Sequence, residues 1–165
     1  MVHDDTSLQD RARRVGELLE RQGMCLAVAE SCTGGLLSKI LTDAPGASAW
    51  FDRGVIVYSN AAKQDLAGVA ASAIAEHGAV SEPVAQALAL GVLARAPVTH
   101  SIAITGVAGP DGGTEAKPVG TVWIAWGTPA GVVSRGLALS GGRDAVRRAS
   151  VAAALDGLVE QCEEA

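Results

Sequence analysis

Aromatic and charged residues are both scarce in this sequence. Of its 165 residues, 3% are aromatic and 19% are charged, whereas 48% are hydrophobic. Because so many aliphatic side chains can leave water, the composition excludes wholesale disorder and allows a sizeable core. With few rings and 20 glycines, we expect the backbone elements to pack closely on aliphatic side chains.

An excess of positive charge is also missing. The formal net charge is -5 at pH 7 and the isoelectric point is about 5.1. A broad footprint on a phosphate backbone needs a basic surface, so we expect no nucleic-acid partner. One local cationic pocket for a small anionic ligand stays compatible with this charge.

Cysteine pairs, metal motifs and long apolar runs are absent as well. Cys25, Cys32 and Cys162 are odd in number and show no C-x-x-C spacing, and no histidine or carboxylate pair has ligand spacing. The first residues, MVHDD, do not resemble a signal peptide, and no apolar run approaches the roughly 20 residues that cross a bilayer. We therefore expect a cytoplasmic protein with no disulfide, no bound metal and no membrane association.

Hydrophobic periodicity predicts helices that alternate with strands early in the chain and a strand hairpin later. The predicted helices cover 8–22, 33–41, 60–67, 82–94 and 143 onward, with Thr6 or Ser7 and Asn60 as N-caps of the first and third. The predicted strands cover 24–29, 55–58, 100–105, 119–126 and 132–139. This order predicts a single α/β domain over residues 1–165, a layered α/β/α fold with a mixed sheet.

The first candidate site lies where the first strand meets the next helix. Residues 29–35 read AESCTGG, which places Ser31 at the carboxyl end of a strand and beside a helix N-terminus. This position suits a nucleophile, although spacing alone favours Ser31 or Thr33 as a simple helix cap. Cys32 is a rival nucleophile, but without a histidine motif it is better interpreted as a packing residue.

Lys63 is the second candidate. It ends the segment YSNAAK at residues 58–63, where a strand gives way to a helix. A lysine acts as a general base only when it is desolvated enough to lose its proton, and a Ser–Lys dyad then needs no histidine. From the residues alone, a solvated helix lysine is the simpler interpretation.

Two further segments could bind a phosphate or a ribose. Residues 105–114 read TGVAGPDGGT, a glycine-rich loop that matches neither the dinucleotide fingerprint nor the P-loop, and a plain surface loop is equally compatible. Arg143 opens the last helix, where a guanidinium could hold a phosphate. Arg147 and Arg148 could equally be solvated charges.

Five segments in this order resemble the CinA C-terminal domain family, whose stand-alone members are nicotinamide-nucleotide amidases. They are 29–35, 54–63, 77–81 (HGAVS), 105–110 (TGVAGP) and 117–122 (KPVGTV). The resemblance extends from about Val15 to Leu158, and five motifs in order are highly specific.

The resemblance implies hydrolysis of the carboxamide of nicotinamide mononucleotide to nicotinate mononucleotide and ammonia, with no cofactor. It implies Ser31 as nucleophile, Lys63 as base and Tyr58 beside them. The physical position of Ser31 agrees, because the backbone N–H groups near Cys32 and Thr33 are candidate oxyanion donors. It also places residues around the substrate: Glu30, Cys32, Thr33, Gly34, Gly35, Asn60, Thr105, Gly106, Gly109 and, near the phosphate, Arg143. One departure is Gly142, where relatives commonly carry an acidic residue that bears on the orientation of Arg143.

Two alternatives stay open at this point. A nucleotide-binding module linked to competence would bind the mononucleotide without releasing ammonia, and an amidase could act on a different carboxamide. The presence of both Ser31 and Lys63 favours the enzyme, because a binding-only descendant would be free to lose either. Trp50, Trp123 and Trp126 could support a homo-oligomer.

Overall fold

A five-stranded mixed sheet organises the computed structural model, which describes residues 3–163. The strand order is β2-β1-β3-β4-β5; β1 runs parallel to β2 and β3, and β4 is antiparallel to β3 and β5. The strands are β1 Leu26–Glu30, β2 Phe51–Ile56, β3 His100–Gly106, β4 Thr121–Thr128 and β5 Gly131–Ala138. The predicted mixed sheet and its late hairpin are confirmed.

Six helices cover the two faces of this sheet. They are α1 Asp5–Gln22, α2 Leu36–Thr42, α3 Asn60–Ala67, α4 Ala71–His77, α5 Glu82–Leu93 and α6 Arg143–Glu163, and a 3₁₀ turn spans Ala47–Ala49. Helices α1, α2 and α6 pack together on one face, whereas α3, α4 and α5 pack on the other. The layered α/β/α prediction is therefore confirmed. Among the helices of residues 3–163, none is both long enough and apolar enough to span a bilayer.

Side-chain size differs between the two faces. Along β1, Leu26 and Val28 face the helices α1, α2 and α6, while Ala27 and Ala29 face α5. Strand β3 repeats the pattern, with Ile102 on the first face and Ala103 on the second. Since successive residues of a strand point to opposite faces, a continuous apolar strand can present large residues to one layer and small ones to the other. Helix α5 therefore lies close to the sheet.

Both predicted N-caps are wrong, because each helix is capped by a residue slightly earlier in the sequence. Helix α1 is capped by Asp4, whose carboxylate accepts the backbone N–H of Ser7 at 2.8 Å. Helix α3 is capped by Ser59, whose hydroxyl accepts the N–H of Ala62 at 3.0 Å. Side chains of these types compete for one position within a turn, and the sequence alone did not decide which one precedes the first helical residue.

The largest further differences from the prediction concern α2, β2 and α4. Helix α2 begins at Leu36 rather than at residue 33, because Gly34 and Gly35 adopt left-handed φ angles of 57° and 97° that no helix can include. Strand β2 begins at Phe51, upstream of the predicted 55–58, and overlaps that range only at residues 55 and 56. Helix α4 was not predicted; its one buried residue, Ile74, gives no apolar periodicity.

The carboxyl ends of the three parallel strands meet at one edge of the sheet. In the register of β1, Glu30 lies opposite Ile56 of β2 and Ile104 of β3. The residues that follow these ends are 31–35, 57–60 and 107–112, which belong largely to the segments singled out by the sequence. The topology thus brings segments that are far apart in the chain to one edge.

Helix α3 reaches this edge through a close contact with α5. A Cβ added to Gly91 would collide with the backbone carbonyl of Ala67, the last residue of α3. We expect Gly91→Ala to lower the free energy of unfolding by about 2 kcal/mol or more, because backbone must move, and this outweighs a helix-propensity gain of about 1 kcal/mol.

Urea denaturation measures this change. The control is Gly142→Ala, where an added Cβ meets nothing within 4 Å, so we expect a change below about 1 kcal/mol. Equal effects of the two substitutions would contradict the close contact.

Candidate active site

Ser31 and Lys63 meet at the edge where the parallel strands end. Ser31 directly follows β1, and Lys63 lies in α3, 32 residues later in the chain. The amine of Lys63 lies 3.1 Å from Oγ of Ser31, which is hydrogen-bonding distance. The two residues that sequence reasoning paired are therefore in direct contact.

The Lys63 side chain is buried, with 1% of its surface exposed. Its Nζ donates to the backbone carbonyls of Val57 at 2.7 Å and Tyr58 at 3.1 Å, in addition to Ser31. Across residues 3–163 no carboxylate lies within ion-pair distance of this amine. Burial disfavours the charged form and lowers the pKa of Lys63 below its usual value of 10.5. The simpler interpretation as a solvated lysine is wrong.

The neighbours of Nζ determine what the neutral amine can do. A neutral amine keeps two N–H bonds, and the carbonyls of Val57 and Tyr58 provide two acceptors for them. The remaining tetrahedral position, occupied by the lone pair, then points toward the Ser31 hydroxyl. In this form Lys63 can accept the hydroxyl proton, which is the requirement for a general base.

Ser31 does not cap helix α2. Gly35 is the N-cap residue and supplies no side chain, and the carboxylate of Glu30 accepts the N–H groups of Gly35, Leu37 and Ser38 instead. The hydroxyl of Thr33 is buried and has no hydrogen-bond partner within the described residues. The helix-cap interpretation of Ser31 and Thr33 is therefore wrong, and the Ser31 hydroxyl is free for chemistry.

Cys32 lies against the same cleft but is 5% exposed. Burial raises the pKa of its thiol to about 11, so that the group is protonated near neutral pH. A neutral thiol is a poor nucleophile compared with a thiolate. This supports the interpretation of Cys32 as a packing residue.

A cleft of about 260 Å³ opens beside Ser31 and Lys63. Nine of the predicted site residues line it: Ser31, Cys32, Tyr58, Asn60, Lys63, Thr105, Gly106, Gly109 and Arg143. Four predicted residues do not line it: Glu30, Thr33, Gly34 and Gly35. Glu30 and Thr33 are fully buried, and the two glycines form the turn into α2.

Six further residues line the cleft, and none was singled out individually from the sequence. Four of them, Val107, Ala108, Asp111 and Gly112, belong to the glycine-rich loop 105–114 that the sequence offered for a phosphate or a ribose, whereas Ala79 and Val80 had been given no role. The hydroxyl of Thr105 donates to the carbonyl of Ala79 at 2.8 Å, and Nζ of Lys117 donates to the carbonyl of His77 at 2.7 Å. These bonds hold segment 77–80 against the glycine-rich loop. Ala79 and Val80 are apolar and carry no chemical signal of their own, and only their place in the segment 77–81, one of the five that carry the family resemblance, pointed to the site.

Arg143 lies at the mouth of the cleft, at the first residue of α6. Its guanidinium donates to the carbonyl of Gly109 at 2.8 Å and to the phenol oxygen of Tyr58 at 3.2 Å. These two partners orient the side chain without an acidic residue at position 142. The remaining N–H groups and the positive charge are available to an anion at the mouth. Within the part of the chain that the structure describes, no group of three or more potential ligand residues could hold a metal ion.

The buried amine of Lys63 predicts a specific pH dependence of stability. The unfolded chain keeps the lysine proton up to the ordinary pKa of 10.5, whereas the folded chain loses it at a lower pH. Between the lowered pKa and 10.5 the unfolded state binds more protons, so the free energy of unfolding rises with pH. Relative to Lys63→Met, we expect the free energy of unfolding of the wild type to rise with a slope of up to about 1.4 kcal/mol per pH unit in that window.

Denaturation series between pH 7 and pH 10 measure this slope. Lys39→Met is the control, since Asp43 raises the pKa of the exposed Lys39 and the corresponding stability is lost, not gained, as pH rises through that pKa. Parallel curves for the wild type and Lys63→Met would show that the buried amine keeps its ordinary pKa.

The environment of Cys32 predicts its reactivity. At pH 7.5 we expect iodoacetamide to modify the partly exposed Cys25 and to leave Cys32 unmodified, because the buried thiol is protonated and inaccessible. Peptide mass spectrometry locates the modification, and the same reaction in urea should reach Cys32. Equal rates at the two cysteines in the folded protein would contradict the assignment.

Comparison with known proteins identifies relatives that cover nearly all of the chain. The family model described as CinA C-terminal domain matches residues 8–162. The nicotinamide-nucleotide amidohydrolase PncC of Escherichia coli K12 is 48% identical over 158 residues, which cover 95% of this chain and 96% of that protein. The protein of the same name from Pseudomonas putida is 48% identical over 149 residues, with 90% and 93% covered.

A solved structure extends the likeness to the fold. The competence/damage inducible protein CihA from Agrobacterium tumefaciens superposes with a TM-score of 0.92 at 38% identity, covering 97% of each chain. The family model, the relatives and the solved structure all match this chain over nearly its whole length, which includes the five sequence segments described above. The chain belongs to the CinA C-terminal domain family.

Proposed function

We propose that this protein is a nicotinamide-nucleotide amidase, which hydrolyses the carboxamide of nicotinamide mononucleotide to nicotinate mononucleotide and ammonia. The observation that carries the proposal is the 3.1 Å contact between the buried amine of Lys63 and the Ser31 hydroxyl. The names of the relatives that are 48% identical support the substrate.

The chemistry follows from a serine paired with a neutral amine. Ser31 Oγ attacks the carboxamide carbon while Lys63 takes the hydroxyl proton, and the tetrahedral intermediate collapses as Lys63 delivers that proton to the leaving ammonia. The C–N bond breaks, and an ester between the nicotinoyl carbon and Ser31 remains. Lys63 then deprotonates a water molecule that attacks this ester, and it returns that proton to Ser31 as the ester bond breaks. The second proton of the water leaves with the carboxylic acid, which ionises to the carboxylate as the released ammonia becomes ammonium.

The turn after Ser31 offers donors for the negative oxygen of the intermediate. Within residues 3–163, the backbone N–H groups of Cys32 and Thr33 donate to no other residue. Free backbone donors next to a nucleophile are the usual material of an oxyanion hole. We propose these two N–H groups for that role.

The mouth of the cleft suits the charged end of the nucleotide. Arg143 is the cation that lines it, and Tyr58 exposes 59% of its surface there while its carbonyl binds Lys63. We propose that Arg143 binds the phosphate, that Tyr58 borders the pyridine ring, and that Asn60, Thr105, Gly106 and Gly109 line the space between. This order places the carboxamide at the Ser31 end and the phosphate at the other.

A module that only binds the nucleotide fits the site less well. Burial of an amine without a counter-charge destabilises the folded state, and the carbonyls of Val57 and Tyr58 offset only part of that effect. A binding module gains nothing from such a group. An amidase needs it, because burial is what frees the lone pair.

Four further expectations accompany this function as proposals. We propose that residues 1–165 form one domain, since both hydrophobic clusters pack on the same sheet. We propose a cytoplasmic location and a small-molecule substrate as the partner. Self-association also stays a prediction, but its basis changes, because Trp50 and Trp126 are buried within one chain at 2% and 4% exposure.

Release of ammonia from nicotinamide mononucleotide tests the function and its nucleophile together. We expect Ser31→Ala to lower kcat by about 1,000-fold or more while the nucleotide still binds. The nucleophile and its base act as a unit, so removing the nucleophile removes most of the rate enhancement. Ser150→Ala is the matched control; this serine is also buried, but its hydroxyl binds the carbonyl of Val146 within α6. It should keep full activity.

Product chromatography and calorimetric binding separate the outcomes. Binding without ammonia release in the wild type would favour a nucleotide-binding module. Ammonia release from nicotinamide or asparagine but not from the mononucleotide would point to another carboxamide. Full activity of Ser31→Ala would refute the nucleophile.

A further inference from the structure

Glu30 is a fully buried carboxylate directly before Ser31, yet it does not line the cleft. Its Oε2 accepts the N–H of Gly35 at 3.1 Å and of Leu37 at 3.0 Å, and its Oε1 accepts the N–H and the hydroxyl of Ser38, both at 2.7 Å. Four donors therefore converge on one side chain. The role in substrate binding implied by the family resemblance does not fit this position.

These donors belong to the start of α2, whose first N–H groups have no partner within the helix. A carboxylate is favoured there by hydrogen bonds and by the helix dipole. Such a cap ordinarily comes from the residue just before the helix, but that residue is Gly35. The capping oxygens come instead from the end of β1, five residues earlier.

The loop between the strand and the helix is thereby held at both ends. The N–H of Ser31 donates to the carbonyl of Ile104 on β3 at 2.9 Å, and Glu30 fixes the far end at Gly35 and Leu37. Within the loop, the N–H of Gly34 donates to the carbonyl of Ser31 at 3.1 Å. None of these bonds uses the Ser31 hydroxyl or the N–H groups of Cys32 and Thr33.

We infer that Glu30 is a positioning residue for the reaction: by capping α2 in place of Ser31 or Thr33, it leaves the Ser31 hydroxyl to Lys63 and the adjacent N–H groups to the substrate oxygen. The inference rests on the proposed function. It deepens that function by assigning the geometry of the nucleophile to a side chain that touches neither substrate nor base.

Two neighbouring features are shaped around the same side chain. A Cβ on Gly54 of β2 would collide with the Ser38 hydroxyl, so the glycine leaves room for that hydroxyl to reach Glu30. The backbone carbonyl of Glu30 accepts the N–H of Val57 at 2.8 Å, and the carbonyl of Val57 in turn receives Nζ of Lys63 at 2.7 Å. One residue thus fixes the nucleophile through its side chain and the base through its backbone.

Glu30→Gln is the direct test, because the amide keeps the shape but replaces one acceptor oxygen with a donor that faces the N–H groups of α2. We expect kcat for nicotinamide mononucleotide to fall about 10- to 100-fold, because a small displacement of a reacting atom lowers the rate by that order. KM should change less than about 3-fold, since substrate contacts are kept. In the Ser31→Ala background, Glu30→Gln should leave nucleotide affinity unchanged.

The control is Ser101→Ala, which removes another buried hydrogen bond of the sheet, to the carbonyl of Ala89, away from the cleft. It should lower stability and leave kcat per folded molecule unchanged. A purely structural cap would make Glu30→Gln behave in the same way, and that result would overturn the inference.

Ser38→Ala and Gly54→Ala decide the question if Glu30→Gln does not fold. Ser38→Ala removes the hydroxyl bond to Glu30 and nothing else that Glu30 accepts, whereas Gly54→Ala displaces the same hydroxyl and also presses on Cβ of Ser38 and Cγ2 of Val28, each 3.1 Å from the added carbon. We expect kcat to fall about 2- to 5-fold with KM unchanged, in line with partial displacement. Wild-type kcat in both variants would overturn the inference.

The rate at which a fluorophosphonate modifies Ser31 separates failure of this inference from failure of the proposed function. If the wild type releases no ammonia but Ser31 is modified, the proposed function fails and the modification rate decides the inference. A rate about tenfold slower in Glu30→Gln than in the wild type supports the inference, and equal rates in the two proteins overturn it. A wild type with neither ammonia release nor modification overturns both.

Discussion

An ammonium group loses most of its hydration when it enters a protein interior, and Lys63 is 1% exposed without a carboxylate at ion-pair distance in residues 3–163. The rest of the site depends on how that amine is accommodated. Backbone carbonyls at the end of β2 provide polar partners without a negative charge, so hydrogen bonding is preserved while the charged form stays disfavoured. An acidic partner would have favoured the protonated lysine and removed the base.

This accommodation constrains elements well beyond the site. Lys63 reaches the carbonyls of Val57 and Tyr58 only because the chain turns directly from β2 into α3, with Ser59 as the cap. Helix α3 lies at the right depth because Gly91 of α5 allows the close approach of Ala67. The parallel arrangement of β1 and β2 then places Ser31 beside the amine. Local capping, helix packing and sheet topology therefore all determine where Nζ of Lys63 lies relative to Oγ of Ser31.

The sequence predicts the elements better than it predicts the environment of single side chains. Glycines such as Gly23 and Gly68 mark helix ends reliably, because they adopt left-handed φ angles there. The pairing of Ser31 with Lys63 came from the family resemblance, since a spacing of 32 residues says nothing about contact. The burial of Lys63 could not be predicted because lysines are ordinarily exposed. The cap of α2 was assigned to Ser31 or Thr33 for a related reason: local rules assign the cap to the nearest polar residue, and only the folded chain shows that Glu30, at the end of a strand, supplies it.

The unequal faces of the sheet determine how this protein can change. On the side of α1, α2 and α6, side chains such as Leu26, Ile102 and Trp126 fill the interior, and one large residue can replace another if volume is conserved. On the side of α5, the strands present Ala27, Ala29 and Ala103, and any larger residue would lift the helix that supports α3. Substitution at these strand positions is thus limited by volume in one half of the interior and by the close approach of a helix in the other. The half limited by the helix is the one that carries the base.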